Sequence, residues 1–162
     1  MNKNERAPVI VMLDNGDTLF TETDGIADEN DFMTLYLPHR VTANENQILL
    51  MQWVPFSEDE EYFVHISKIL NVCHMDEQHK RLFGSVVATN VMRNLKDRIV
   101  TAVKLNVRLN EELDILLSDM LMSLLEISNR YNMEKPKLKD IHNQFYSLVS
   151  STFPEHKSNY VN

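Results

Sequence analysis

The chain has 162 residues, 43% of them apolar and 25% charged, with a formal net charge of −8. That length holds one well-cored domain or two small ones. Three glycines, Gly16, Gly25 and Gly84, are too few and too scattered for a glycine-rich phosphate loop, and a single cysteine, Cys73, excludes an intramolecular disulfide and fits a reducing cytoplasm. No apolar run reaches about 18 residues, so no membrane span is expected, and the first twelve residues lack the apolar stretch of a signal peptide. The charge is uneven. Residues 1–75 carry four bases against thirteen acids, a net of −9, and residues 76–162 carry twelve bases against eleven acids, a net of +1. The first part should repel a phosphate backbone in general.

The chain opens with a short β-branched apolar run at residues 9–13, followed at once by Asp14-Asn15-Gly16-Asp17. Asn-Gly is a strong hairpin signal because both residues tolerate positive φ. A second strand is expected at residues 18–22, then a turn at Asp24-Gly25 and a polar stretch at residues 28–31. A third strand reads 32–37 and should end at Pro38, which lacks a ladder donor. Residues 42–47 read as a loop, and 48–56 form an apolar segment holding the only tryptophan, Trp53. After the acidic turn at 57–61, two short strands read 62–66 and 69–73, broken at Ser67-Lys68. Five or six short strands at this spacing predict a small β-barrel over residues 8–75. A helix within 48–56 or 62–73 would contradict it.

From Asp76 the period changes. Asp76 suits an N-cap and Glu77 the first turn of a helix. Leu82, Phe83, Val86, Val87, Val91, Leu95, Ile99 and Val103 recur at three- and four-residue steps, which marks one helix face. Residues 103–109 alternate and fit either a helix end or a short strand. Asn110 reads as the next N-cap, and Leu113, Leu116, Leu117, Met120, Leu121, Leu124 and Leu125 form a broad apolar stripe to about Arg130. Leu138, Ile141, Phe145, Leu148 and Val149 predict a last helix. The expected class is therefore α+β: a mainly β domain at 8–75, about three helices over 76–153, and a tail at 154–162.

Three segments resemble the Sm-like family, which includes the LSm proteins and Hfq. Residues 9–17, with their Asn-Gly turn, are similar to the first Sm motif; Asp31-Phe32-Met33-Thr34-Leu35 falls where such proteins carry their third strand; residues 63–72 are similar to the second motif. Trp53-Val54-Pro55-Phe56 with the acids behind it looks more specifically like Sm-like proteins of cyanophages and related marine phages. The resemblance covers about half the chain. It implies an SH3-type, strongly bent five-stranded barrel, a homo-oligomeric ring, no cofactor, and binding of single-stranded RNA or of a host or phage protein in the host-cell cytoplasm. Ring contacts would come from Tyr62, Val64, Ile66, Ile69, Leu70 and Val72, and RNA contacts from Asn15 and Lys68. Two departures stand out. Where the family carries Arg-Gly or Lys-His, this chain reads Ile66-Ser67-Lys68, and the glycine usual in the second strand is missing near Phe20-Thr21.

Other chemistry is poorly represented. Cys73, His74 and His79 match no zinc spacing, and the acids at 14–31 do not match an EF-hand loop. No nucleophile motif is present, so a non-enzymatic protein is expected. Arg93, Lys96, Arg98, Lys104 and Arg108 form the most basic segment. They are a second set of candidate RNA contacts, or else a solvated face or a counter-charge for the acidic barrel. The Trp53–Pro55–Phe56 loop should pack on the barrel or on a neighbouring subunit.

Overall fold

A computed structural model describes residues 6–25, 27–43, 47–55, 57, 59–105 and 109–152. An antiparallel six-stranded sheet is followed by three helices, so the α+β class holds. The chain divides into two compact units, Met1–Phe83 and Gly84–Asn162. The strands are β1 (Ala7–Leu13), β2 (Thr18–Thr23), β3 (Phe32–Ala43), β4 (Ile48–Gln52), β5 (Glu61–His65) and β6 (Ile69–His74), and the helices are α1 (Glu77–Leu105), α2 (Leu109–Arg130) and α3 (Leu138–Thr152). Among the described residues, no helix is long and apolar enough to cross a membrane.

The β1–β2 hairpin forms where Asn15-Gly16 was expected to turn. Gly16 takes φ 87°, and Leu13 N–H donates to the Asp17 carbonyl at 2.9 Å. The sheet then runs β4-β3-β2-β1-β6, with β5 also paired to β3. Its core is Val9, Val11, Leu13, Leu19, Leu35 and Val64, against which Met33, Trp53 and Ile69 pack. The expected alternation was loose in β2 because both of its faces are covered. Leu19 faces the core, while Phe20 meets His79 and Phe83 of the first turns of α1 edge-on, with ring centroids 5.5 and 6.4 Å away.

The third strand corrects the sequence reading. It does not end at Pro38 but continues to Ala43 and exchanges partners on the way. Phe32 to Tyr36 pair with β5, and His39 to Ala43 pair with β4. The exchange falls at Leu37-Pro38. Leu37 adopts φ 51° and donates its N–H to the Glu60 carbonyl at 2.7 Å, and the Pro38 carbonyl accepts from Trp53 N–H at 3.0 Å. Proline is tolerated at such an irregularity because no ladder donor is called for there. The β2–β3 register shifts at the same level, where the buried Thr21 hydroxyl donates to the Tyr36 carbonyl at 2.8 Å. The polar loop expected at 42–47 begins later than Thr42; residues 44–46 lie outside the described set. Six strands form, within the five or six read along the chain where the resemblance implied five, and the apolar stretch at 48–56 supplies a strand only over Ile48–Gln52. A 3-10 helix, η1 (Ile66–Lys68), spans the expected break at Ser67-Lys68 and takes Ile66 from the expected strand, so one helical turn falls inside 62–73, where the barrel reading expected none.

Asp76 caps α1: its Oδ1 accepts from His79 N–H at 2.8 Å and its carbonyl from Lys80 N–H at 2.9 Å. The helix continues through Leu105, which resolves residues 103–105 as helix; 106–108 lie outside the described residues. α2 begins at Leu109, so Asn110 falls inside its first turn rather than before it. The core of the second unit joins Leu95, Ile99 and Ala102 of α1, Leu113, Leu116 and Met120 of α2, and Ile141, Phe145 and Val149 of α3. The tail at 154–162 lies outside the described residues.

Two groups tie stability to pH. The His79 N–H bond, with the His79 side chain, holds the Asp76 carboxyl below its ordinary value. Its contribution is present above the unfolded carboxyl pKa and is lost as pH falls through the folded one. Burial pushes His39 below the ordinary histidine value, partly offset by its contact with the Leu37 carbonyl at 2.7 Å. Below about pH 6.5 the unfolded chain takes up a proton that folded His39 resists, so stability falls there too. Thermal melts from pH 8 to pH 3 should show both losses. His39→Gln should flatten the upper one and Asp76→Asn the lower one; unchanged pH profiles in both variants would contradict these assignments.

Candidate binding surface at the open sheet edges

Among the described residues, β5 pairs only with β3 and β6 only with β1. Each strand therefore presents one row of unpaired backbone donors and acceptors. Both strands carry exposed apolar side chains. Phe63 is 65% exposed and Leu70 69%, with Ile66 and Val72 also exposed. An edge with exposed apolar side chains invites another chain. The charges nearby do not guard it: Glu61 pairs with Arg6 at 3.6 Å and Lys68 with Asp14 at 2.9 Å.

The six expected contact residues divide by strand face. Val64 belongs to the core and Ile69 packs against it, so they offer only their backbone. Tyr62 is half-buried, its ring 5.8 Å from that of Trp53, and its hydroxyl is buried with no hydrogen-bond partner among the described residues. Ile66, Leu70 and Val72 are exposed. Phe63, the most exposed residue of β5 among the large apolar side chains, was not among the expected contacts. Alternation carries the signal: with Val64 in the core, its neighbour Phe63 must face out.

The turn between the edges gathers several polar groups. His65 Nδ1 lies 2.8 Å from Ser67 Oγ and accepts from Ser67 N–H at 3.2 Å. Asp14 N–H donates to the Lys68 carbonyl at 2.9 Å, and Ile66 N–H to the Asp31 carbonyl at 2.8 Å. The β1–β2 and β2–β3 turns thus both reach η1. Asn15 is nearby in the chain but is engaged within its own turn, accepting from Asp17 N–H at 2.9 Å and donating to Asp17 Oδ2 at 3.1 Å. Phe32 stands edge-on to His65 at 5.2 Å. Asp28, among the acids considered for a cation, instead accepts from Asn30 and Phe32 N–H at 2.9 and 2.8 Å and shapes the turn. Among the described residues no group of three or more histidine, cysteine or acidic side chains is placed to hold a metal.

Trp53 packs on the sheet and donates Nε1–H to Asp17 Oδ2 at 3.1 Å; Asp17 also meets Arg40 at 3.4 Å. Pro55 is exposed, and Phe56 lies outside the described residues. Arg93, Lys96 and Arg98 lie on α1 in the second unit and are all exposed. Arg98 pairs with Asp119 of α2 at 2.9 Å. The side chain of Lys104 and the whole of Arg108 lie outside the described residues. A comparison with protein-family models and with curated proteins finds no match to the chain.

Proposed function

We propose that this chain is a non-enzymatic Sm-like protein that closes into a homo-oligomeric ring and acts in that form as a platform for protein assembly. One observation carries the reading: β5 and β6 each pair on one side only among the described residues and expose large apolar side chains there. An isologous dimer satisfies one edge and leaves the other open, whereas a heterologous contact of β5 with the β6 of the next copy satisfies both. The order of strands supports the resemblance, since β4 and β5 lie end to end along β3 and together correspond to one interrupted Sm strand. The charges support protein over nucleic acid as the ligand. Lys68 and Arg40 are already matched by Asp14 and Asp17, and a net of −9 over residues 1–75 disfavours a polyanion. Light scattering at tens of micromolar tests the ring: a multiple of 18.9 kDa is expected, and a mass near 18.9 kDa overturns it.

A second reading, single-stranded RNA bound at the ring centre, rests on the turn cluster. Phe32 and His65 meet edge to face at 5.2 Å, Lys68 follows His65 by three residues, and a ring would repeat that set in every subunit. Stacking aromatics with a nearby cation are what unpaired bases require. Filter binding of labelled RNA separates the two. The assembly reading expects no retention at about 50 mM salt. Retention that falls steeply toward about 200 mM, and is lost in Lys68→Ala, favours RNA instead.

A further inference from the structure

The second unit leaves three large apolar side chains more than half exposed among its described residues: Ile115 and Met122 on α2, and Leu138 at the start of α3. Ile115 and Met122 are seven residues apart and so share a helix face. That face is not the bundle core, which α2 supplies through Leu113, Leu116 and Met120. Two hollows of about 530 and 590 Å³ lie along the α1–α2 seam and meet at Arg98; Ile115 lines one and Met122 the other. Among the described residues their charged lining is Asp97, Glu112, Asp119 and Glu126 against Arg98, with Asp119 paired to Arg98 and Glu126 to Arg130. Among the described residues the groove is therefore apolar at its lip, and its acids outside those two pairs are Asp97 and Glu112 of the first hollow.

Leu138 has the opposite surroundings. It is 58% exposed and stands between Lys137 and Lys139, with Lys135 just before them; Glu134 and Asp140 offset them only in part. We propose that Leu138 of one copy seats in the α1–α2 groove of the next copy, with its flanking lysines against the acids of the groove. The occupant is a second copy because the chain itself carries both halves of the match, an acidic groove with apolar lips and a basic segment with an apolar knob. The contact joins two different patches, so it is heterologous, as is the β5–β6 contact. The inference rests on the self-association proposed above. It adds a second interface, borne by the helices, that the strand edges do not require.

Paired cysteines test it. In a Cys73→Ser background, Met122→Cys and Leu138→Cys chains carrying tags of different mass are co-expressed and oxidised. A mixed 122–138 adduct between chains is expected, reduced several-fold by adding Lys137→Glu and Lys139→Glu to the second chain, and reduced also by 1 M salt, where screening shortens to about 3 Å. An oligomer by light scattering that yields no mixed adduct overturns the inference and leaves the strand-edge ring standing. A 122–122 adduct in place of the mixed one overturns it as well, since it marks an isologous contact. A monomer without adduct overturns both.

Discussion

Leu70→Glu is expected to leave the sheet folded and to break the ring into single chains of 18.9 kDa. Leu70 is 69% exposed on β6 and contributes nothing to the sheet core, so a carboxylate there meets water in the isolated chain. In the proposed ring the same position would lie at the joint with the next β5. Burying a leucine contributes about 1.5–3 kcal/mol, which is roughly a 10- to 150-fold change in the association constant of each joint. Placing a carboxylate there also adds its desolvation. Because the joint recurs at every subunit, the loss recurs with it. Phe63→Glu on β5 should act alike, since it spoils the other half of the same joint. The double variant should be no worse than either single one once the ring is gone. Circular dichroism should overlay on the parent, and light scattering at tens of micromolar should read the single chain. A parent that is oligomeric, with both variants retaining its mass, would move the joint away from these strands.

Much of the architecture was legible because it depends on local rules. Asn15-Gly16 announces its hairpin through backbone freedom, Asp76 announces α1 through its cap, and the stripe from Leu113 to Leu124 announces α2 through its period. What escaped depends on partners distant in sequence. Pro38 reads as a strand end by itself, yet the strand passes through it because β3 exchanges β5 for β4 at that point. Lys68 reads as a free cation, yet Asp14, far earlier in the chain, lies 2.9 Å from it. Arg98 likewise stands in a basic run and spends its charge on Asp119. Phe63 was misjudged for a subtler reason. Its segment is apolar on both faces, so alternation identifies the outward residue only once the core side is known, and the core side is a property of the whole sheet.

Gly84 shows the same dependence and supports the second large prediction. A glycine inside a helix is about 1 kcal/mol less favourable than alanine, so composition alone would favour replacing it. The surroundings forbid that. A Cβ at position 84 would stand 2.6 Å from Met133 Sδ and 2.7 and 2.8 Å from Tyr131 Cβ and Cγ. Met133 is flexible and can move, but Tyr131 cannot. It is 1% exposed and sits at the end of α2, where Tyr131 N–H donates to the Ile127 carbonyl and Met133 N–H to the Ser128 carbonyl, each at 2.9 Å. Asn132 between them takes φ 51°. That is a left-handed helix stop of the Schellman type, with asparagine in the place glycine most often fills. The stop fixes the Tyr131 backbone, and with it the Cβ that a side chain at position 84 would strike. Overpacking of a tight site costs about 1–3 kcal/mol, so Gly84→Ala should lose more than it gains in helix propensity and destabilise the helical unit by about 1 kcal/mol. Gly84→Val adds two more carbons in the same direction and should cost about 3 kcal/mol or more. Urea unfolding followed at 222 nm reads both, as a lowered midpoint that falls further for valine than for alanine. An alanine variant as stable as the parent, or more so, would mean that the end of α2 yields to the added methyl, and the close approach of Tyr131 to α1 would then not be a constraint on this fold.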